Sequence, residues 1–143
     1  MEIEEIATIV VDCGFKIHKK LGPGLLESVY GILMFESLKR RGLKVERQVP
    51  IDLIYDDIVI KDAFRVDLIV EGKLIVELKS VEFNLPVHNK QLLTYLRLMD
   101  HTLGLLINFG MATFRDGCDR VVNKHTNFKS SRLRVSKTDA SRG

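Results

Sequence analysis

The sequence predicts a mixed α/β domain, with a central mixed sheet flanked by helices in the order α-α-β-β-β-α-β and one further strand. Apolar residues recur every three or four positions at first, alternate every second position from Val45, and return to the helical period after Pro86. Glycine, proline and aspartate stand where the period changes. The length of 143 residues, 45% hydrophobic and 29% charged, suits one domain around one core and leaves no room for a second.

Ile3, Ile6, Val10, Cys13 and Ile17 lie at spacings of three and four, the stripe of an amphipathic helix over about residues 3–20. Gly22-Pro23-Gly24 ends it. A second helix is predicted over about 25–41, with Leu26, Val29, Tyr30, Leu33, Met34 and Leu38 inward and the cations Lys39, Arg40 and Arg41 in its last turn. Alternation of Val49, Ile51, Leu53 and Tyr55 against Pro50 and Asp52 predicts a strand up to a turn at Asp56-Asp57, and Pro50 argues for an edge position. Strands from Ile58 to Val70 and from Leu74 to Lys79, apolar on both faces, are predicted to be central and joined by the short connection Glu71-Gly72-Lys73. Leu92, Leu93, Leu96 and Met99 give a third helix ending near Asp100, and Leu103 to Asn108 a buried strand. Residues 112–115 and 118–122, split by Asp116-Gly117, suggest a last hairpin.

Several function classes are excluded or disfavoured. The longest apolar runs, such as 103–109, are far shorter than the roughly 20 residues a spanning helix requires. The acidic start Met1-Glu2-Ile3-Glu4-Glu5 does not resemble a secretory signal, so a cytoplasmic location is expected. Cys13 and Cys118 are too few for a disulfide framework, a zinc site or a four-cysteine cluster. The net charge of +3 is uneven: residues 123–143 hold Lys124, Lys129, Arg132, Arg134, Lys137 and Arg142 against Asp139, leaving the remainder close to neutral. The expected organisation is therefore a domain over 1–123 and a basic, disordered tail over 124–143, suited either to contact with polyanions or to solubility alone.

Two strands that otherwise belong to the core contain Asp67, Glu77 and Lys79. Burying such charges without partners is costly. Glu77 and Lys79, two apart, leave the same face of their strand. A three-residue loop over 71–73 pairs 70 with 74 and 69 with 75, which sets Asp67 across from Glu77 with Cβ atoms roughly 5 Å apart. A two-residue loop would put Asp67 on the opposite face. Carboxylates that close repel unless a proton or cation lies between them. Mg2+ (or Mn2+) fits two acids and a lysine better than zinc does, and such an ion serves phosphodiester hydrolysis. A buried ion cluster without metal is the structural alternative.

Phe64-Arg65-Val66-Asp67 followed by Val76-Glu77-Leu78-Lys79 resembles the D…ExK core of the PD-(D/E)XK nuclease superfamily, and the element order resembles its restriction-endonuclease-like core. Val66 stands where the superfamily name has proline. Gly24-Leu25-Leu26-Glu27-Ser28-Val29-Tyr30 resembles the signature of the GxxExxY family within it, and the resemblance extends from about Ile17 to Asn123, including 105–110. It implies that Asp67 and Glu77 hold a metal with the Leu78 backbone carbonyl, that Glu27 joins the metal site, and that Lys79 serves the attacking water. Without the resemblance Glu27 is a first-turn acid favoured by the helix dipole, and Tyr30 is a core residue. Gln91 and Tyr95, on one helix face with His88, resemble the QxxxY element of RecB-type nucleases, which places Gln91 in the catalytic site and both residues beside the nucleic-acid strand. His88 is expected in a solvent-facing stripe. Lys19 and Lys20, with Lys16, Lys39, Arg40, Arg41, Lys44 and Arg47, offer a phosphate-contacting surface.

The expected function is thus a metal-dependent nuclease, with DNA ahead of RNA as substrate and homodimerisation left open. The alternative is a catalytically inactive nucleic-acid-binding or regulatory protein on the same fold.

Overall fold

Ile6, Val10 and Cys13 are fully buried along helix α1 (Ile3–Leu21), which ends where the Gly22 amide bonds the His18 carbonyl at 2.7 Å. Gly22, at φ 71, takes the left-handed region that glycine enters without steric cost. The computed structural model describes residues 1–124 and 133–138. Helix α2 (Glu27–Arg40) starts two residues later than its pattern suggested, because Leu26 is extended and forms the N-cap. Tyr30, Met34 and Leu38 face inward as expected. Leu26 and Val29 do not, and Leu26 is 73% exposed.

Strands β1 (Val45–Tyr55), β2 (Ile58–Val70) and β3 (Leu74–Lys79) form consecutive antiparallel pairs with the predicted boundaries. The β2–β3 register is the one that a three-residue loop demands, with Val70 opposite Leu74 and Ile69 opposite Ile75. Helix α3 (Pro86–Met99) opens with proline in its first turn, where the missing amide costs nothing, and stops at Asp100 in the left-handed region. It carries the chain to strand β4 (Leu103–Asn108), which lies parallel to β3. A short helix α4 (Phe114–Gly117) and strands β5 (Cys118–Val122) and β6 (Leu133–Lys137) complete the described elements. The six strands run β5-β4-β3-β2-β1-β6, a mixed sheet flanked by helices.

Two cores cover the two faces. Leu68, Val70, Leu74, Val76 and Leu78 pack with Ile6, Val10, Tyr30 and Met34 beneath α1 and α2. Val49, Ile51, Val66, Ile69 and Ile75 pack with Leu92 and Leu96 of α3. In β2 the side that faces α3 passes from Val66 to Ile69, and in β1 the α1–α2 side ends at Val45 before Val49 joins the other core. Alternation therefore breaks at Asp67 and Gln48, and Gln48 has a φ of 53.

Four further expectations need correction. Residues 112–115 do not form a strand: Thr113 caps α4 by accepting from the Asp116 amide at 3.3 Å, and Phe114 turns into the core against Phe109 and His18. β2 is central in the sheet, between β3 and β1, but its first half is exposed rather than buried on both faces. β1 is an edge only up to Pro50, because β6 covers Ile51 to Tyr55. Most consequential, the tail is not structureless at Leu133–Lys137. Val135 packs on the α3-side core, the Lys137 ammonium pairs with Glu46 at 2.8 Å, and the Thr138 amide bonds the Pro50 carbonyl at 2.8 Å. The expectation for residues 125–132 and 139–143 lies outside the described residues. Removing residues 124–143 is accordingly expected to lower stability by about 2 kcal/mol through lost burial and hydrogen bonds. The shift in urea midpoint measures this, and an inert tail would leave the midpoint unchanged.

Candidate active site

Pairing between β2 and β3 runs only from Val70–Leu74 to Leu68–Val76, and Asp67 stands at the point where the strands part. Its carboxylate replaces the missing strand partner: Oδ2 accepts from the Leu78 amide at 2.8 Å. Within a strand the N–H and C=O of one residue leave the same edge, so the Leu78 carbonyl faces this gap too. Oδ1 accepts from the Gln48 side-chain amide at 3.2 Å. Gln48 falls opposite Asp67, between the pairs Arg47–Leu68 and Val49–Val66. Gln48 was absent from the sequence expectations.

Glu77 is 5% exposed and lies beside the Asp67 carboxyl. Burial, then that contact and the Asp67 charge, push the Glu77 carboxyl up to about 10, with Lys79 opposing. Its Oε1 is buried without a hydrogen-bond partner. An orphaned carboxyl oxygen against a second carboxyl is costly unless a proton or cation is shared there.

Glu27, at the start of α2, lines the same cavity of about 240 Å³ as Asp67, Gln48, Leu78, Ser28 and Gly31. Burial raises its carboxyl, the Lys79 charge lowers it, and the Asp67 charge adds to the rise. Arg47 borders this region, its Nε against Gly31, where an added Cβ would lie 3.7 Å away. Tyr95 stacks on Phe64 at 4.3 Å between ring centroids, and its hydroxyl is raised by burial and then by the Glu77 and Asp67 charges. Of the residues expected at the centre, Glu27, Asp67 and Leu78 line this cavity, and the charges of Asp67 and Lys79 act on both Glu27 and Glu77, with Tyr95 within electrostatic reach. Gln91 lies exposed on α3, one turn before Tyr95. His88 is half-buried rather than fully solvent-facing, and burial and then the Lys79 charge lower its pKa. Lys19 sits over the Phe15 ring at 5.9 Å, and Lys20 lines a groove between α1 and α2 with Lys16 and Arg41; neither borders the acid cavity.

The surroundings explain the local pattern of glycine, glutamate and tyrosine. Tyr30 is fully buried, stacks on Phe109 at 4.3 Å, donates to the Gly22 carbonyl at 2.5 Å and accepts from the Leu25 amide at 3.3 Å. It thereby holds the turn that delivers Glu27, while Gly24 supplies a φ of 111. On the other side Asn108 ends β4 and accepts from the Val81 and Gly110 amides at 3.0 Å each. Its amide donates to Asn84 at 3.0 Å, so one side chain anchors the segment that follows Lys79.

A family model described as the PD-(D/E)XK nuclease superfamily matches residues 4–121. The chain belongs to the PD-(D/E)XK nuclease superfamily. Its mixed sheet flanked by helices agrees with the restriction-endonuclease-like fold of that superfamily. Comparisons with curated proteins and with solved structures return no significant match. Membership implies nuclease chemistry on a nucleic-acid substrate, and nucleases of this superfamily usually use divalent metal ions. Among the described residues no group of three or more His, Cys, Asp or Glu side chains gathers around one point as a ready metal cage. The Asp67–Glu77 contact with its orphaned oxygen is instead a two-carboxylate arrangement of hard donors. That donor set fits a small oxygen-seeking cation that keeps waters and a substrate phosphate as its remaining ligands.

Proposed function

We propose that the chain is a Mg2+- or Mn2+-dependent nuclease of the GxxExxY type that hydrolyses phosphodiester bonds, with DNA ahead of RNA as substrate. The observation that carries this reading is the contact between the Asp67 and Glu77 carboxyls, with Glu77 Oε1 buried and unpartnered. Asp67 and Glu77 would hold the ion with the Leu78 carbonyl, and Glu27 would support it directly or through water. When bound, the ion supplies Lewis acidity toward the phosphoryl oxygen and acidifies the attacking water. Lys79 orients that water and offsets the charge that develops on the phosphate. Gln48 and the Leu78 amide keep Asp67 from turning away. Gln91 and Tyr95 of α3 contact the strand beside the reacting phosphate. Lys19 and Lys20 meet more distant phosphates, so they affect affinity and its salt dependence rather than chemistry. A cytoplasmic location and a homodimer remain compatible with this function.

The test is a cleavage assay on DNA and RNA, single- and double-stranded, with Mg2+, Mn2+ or chelator. Cleavage that needs metal and disappears in Glu77→Ala supports the reading. Salt-sensitive binding with no cleavage under any condition overturns it in favour of a binding protein on the same fold.

A further inference from the structure

The segment that leaves the catalytic strand, residues 80–85, faces the turn that leads into α2 across a second cleft of about 580 Å³, whose lining includes Leu25, Leu26, Glu27, Val81 and Glu82. Glu27 lines this cleft and the acid cavity alike, so the two adjoin at that side chain. Among the described residues that line the cleft there is no lysine or arginine, and the only charges are the two glutamates. A surface for phosphates would be basic. This one repels phosphate and offers apolar side chains.

Those side chains are unusually open for their size. Leu26 is 73% exposed and Leu25 and Val81 are partly open, while Phe83, the next residue after Glu82 of the cleft wall, is 68% exposed. The backbone beneath them is nevertheless firmly held. Ser80 Oγ donates to the Leu25 carbonyl at 2.6 Å, which ties the two walls together. The Val81 amide is bonded to Asn108, and Asn84 donates to the Asp116 carbonyl at 2.7 Å. A Cβ on Gly110 would meet the Val81 carbonyl oxygen at 2.2 Å, so the strand end and this segment touch backbone to backbone. Exposed apolar groups on a rigid frame are ready to bind, because little ordering entropy is lost when they are covered.

Resting on the nuclease reading, we infer that this cleft receives unpaired nucleobases next to the reacting phosphate, so that the substrate is a nucleic-acid strand with unstacked bases rather than continuous duplex. A base is uncharged and flat and is joined to its phosphate through a single sugar. A phosphate held by the Lys79 ammonium beside Asp67 and Glu77 therefore brings its neighbouring base to the adjoining cleft. Leu26 and Val81 offer apolar edges within the cleft, and the exposed ring of Phe83, one residue beyond Glu82 of its wall, is available for stacking. In continuous duplex the bases are paired and stacked, and only phosphates would reach the acidic rim. Stacking of this kind tolerates any base, so the cleft selects for strand state and not for sequence.

The test compares binding of the intact chain to a single-stranded oligonucleotide, the same oligonucleotide in a blunt duplex, and a single strand with a run of abasic sites. Binding is read by fluorescence anisotropy in chelator, so that it does not depend on catalysis. The parent should prefer the single strand, and Phe83→Ser and Leu26→Ser should each weaken that binding about tenfold while changing duplex binding little. The abasic strand should bind the parent as weakly as the natural strand binds the variants, and the variants should not distinguish the two. Both positions are exposed, and unchanged melting temperatures would show that the variants fold. Equal losses on single strand and duplex, or full affinity for the abasic strand, would overturn the inference. So would variants whose only change is conversion of a dimer to monomer in sedimentation, because the patch would then join two copies. Metal-dependent cleavage with no dependence on bases defeats this inference alone. Base-dependent binding without cleavage defeats the nuclease reading alone.

Discussion

Lys79→Ala is expected to bind Mg2+ as the parent does and to lose cleavage by about a hundredfold to ten-thousandfold, the range for removing one proton-handling or charge-stabilising group. Lys79 follows Glu77 by two residues on β3, and its charge acts on Glu27, Glu77 and His88. A lone ammonium at that place favours the more negative transition state over the ground state, whereas the ion would be held by the acids. Glu77→Ala should therefore damage metal binding and turnover together, and Asp67→Ala should do the same while also freeing the Leu78 amide. Calorimetric Mg2+ titration paired with cleavage rates separates the two patterns. Parent-like cutting by Lys79→Ala would show that the lysine has no part in the chemistry.

The second large effect is on stability. Glu77 moves from an ordinary 4.5 to about 10 in the metal-free fold, chiefly through burial. The folded chain then keeps a proton that the unfolded chain releases, so stability is greatest below about 4.5 and falls as pH rises toward 10. One proton sets the limiting slope at about 1.4 kcal/mol per pH unit. Glu77→Gln, which holds its hydrogens at every pH, should melt several degrees above the metal-free parent at pH 8. Mg2+ should reverse the order: it displaces the Glu77 proton, binds more tightly as pH rises, and stabilises only the parent. Melting curves from pH 5 to 9 with chelator or Mg2+ test both halves. A parent that melts independently of pH and metal would sink this account of the buried acid.

Much of this arrangement could be read in the sequence because it depends on local rules. The three-residue connection at 71–73 set the β2–β3 register, whose last pair, Leu68–Val76, leaves Asp67 and Glu77 as neighbours where the strands part. Periodicity located the three long helices and the strands up to Asn108 within a few residues. What escaped depends on contacts between distant segments. Counting back from the Tyr55–Ile58 turn would place Glu46 opposite Asp67; a shift between Ile51 and Leu53 puts Gln48 there instead. No local signal announces that shift. Leu26 fits an inward helical pattern but is the extended N-cap of α2, since Tyr30 holds the preceding turn from inside. Asn108 falls within the stretch 105–110 that the family resemblance includes, yet its work on residues 81 and 84 depends on a parallel neighbour strand. The last strand hid within a basic stretch because Leu133 and Val135 find their partners only in β1.

That last pairing also bears on how the chain reaches its fold. β1, β2 and β3 are joined by short turns and can zip together from neighbouring residues, whereas Ile51 must wait for Lys137. Closing so large a loop costs more chain entropy than closing a hairpin, so β6 is expected to dock after the hairpins have formed. Until then Ile51 to Tyr55 present an open strand edge beside the exposed Ile58, Val59 and Ile60. During synthesis this is the part of the molecule most open to pairing with another nascent chain, and the late strand acts as its built-in chaperone.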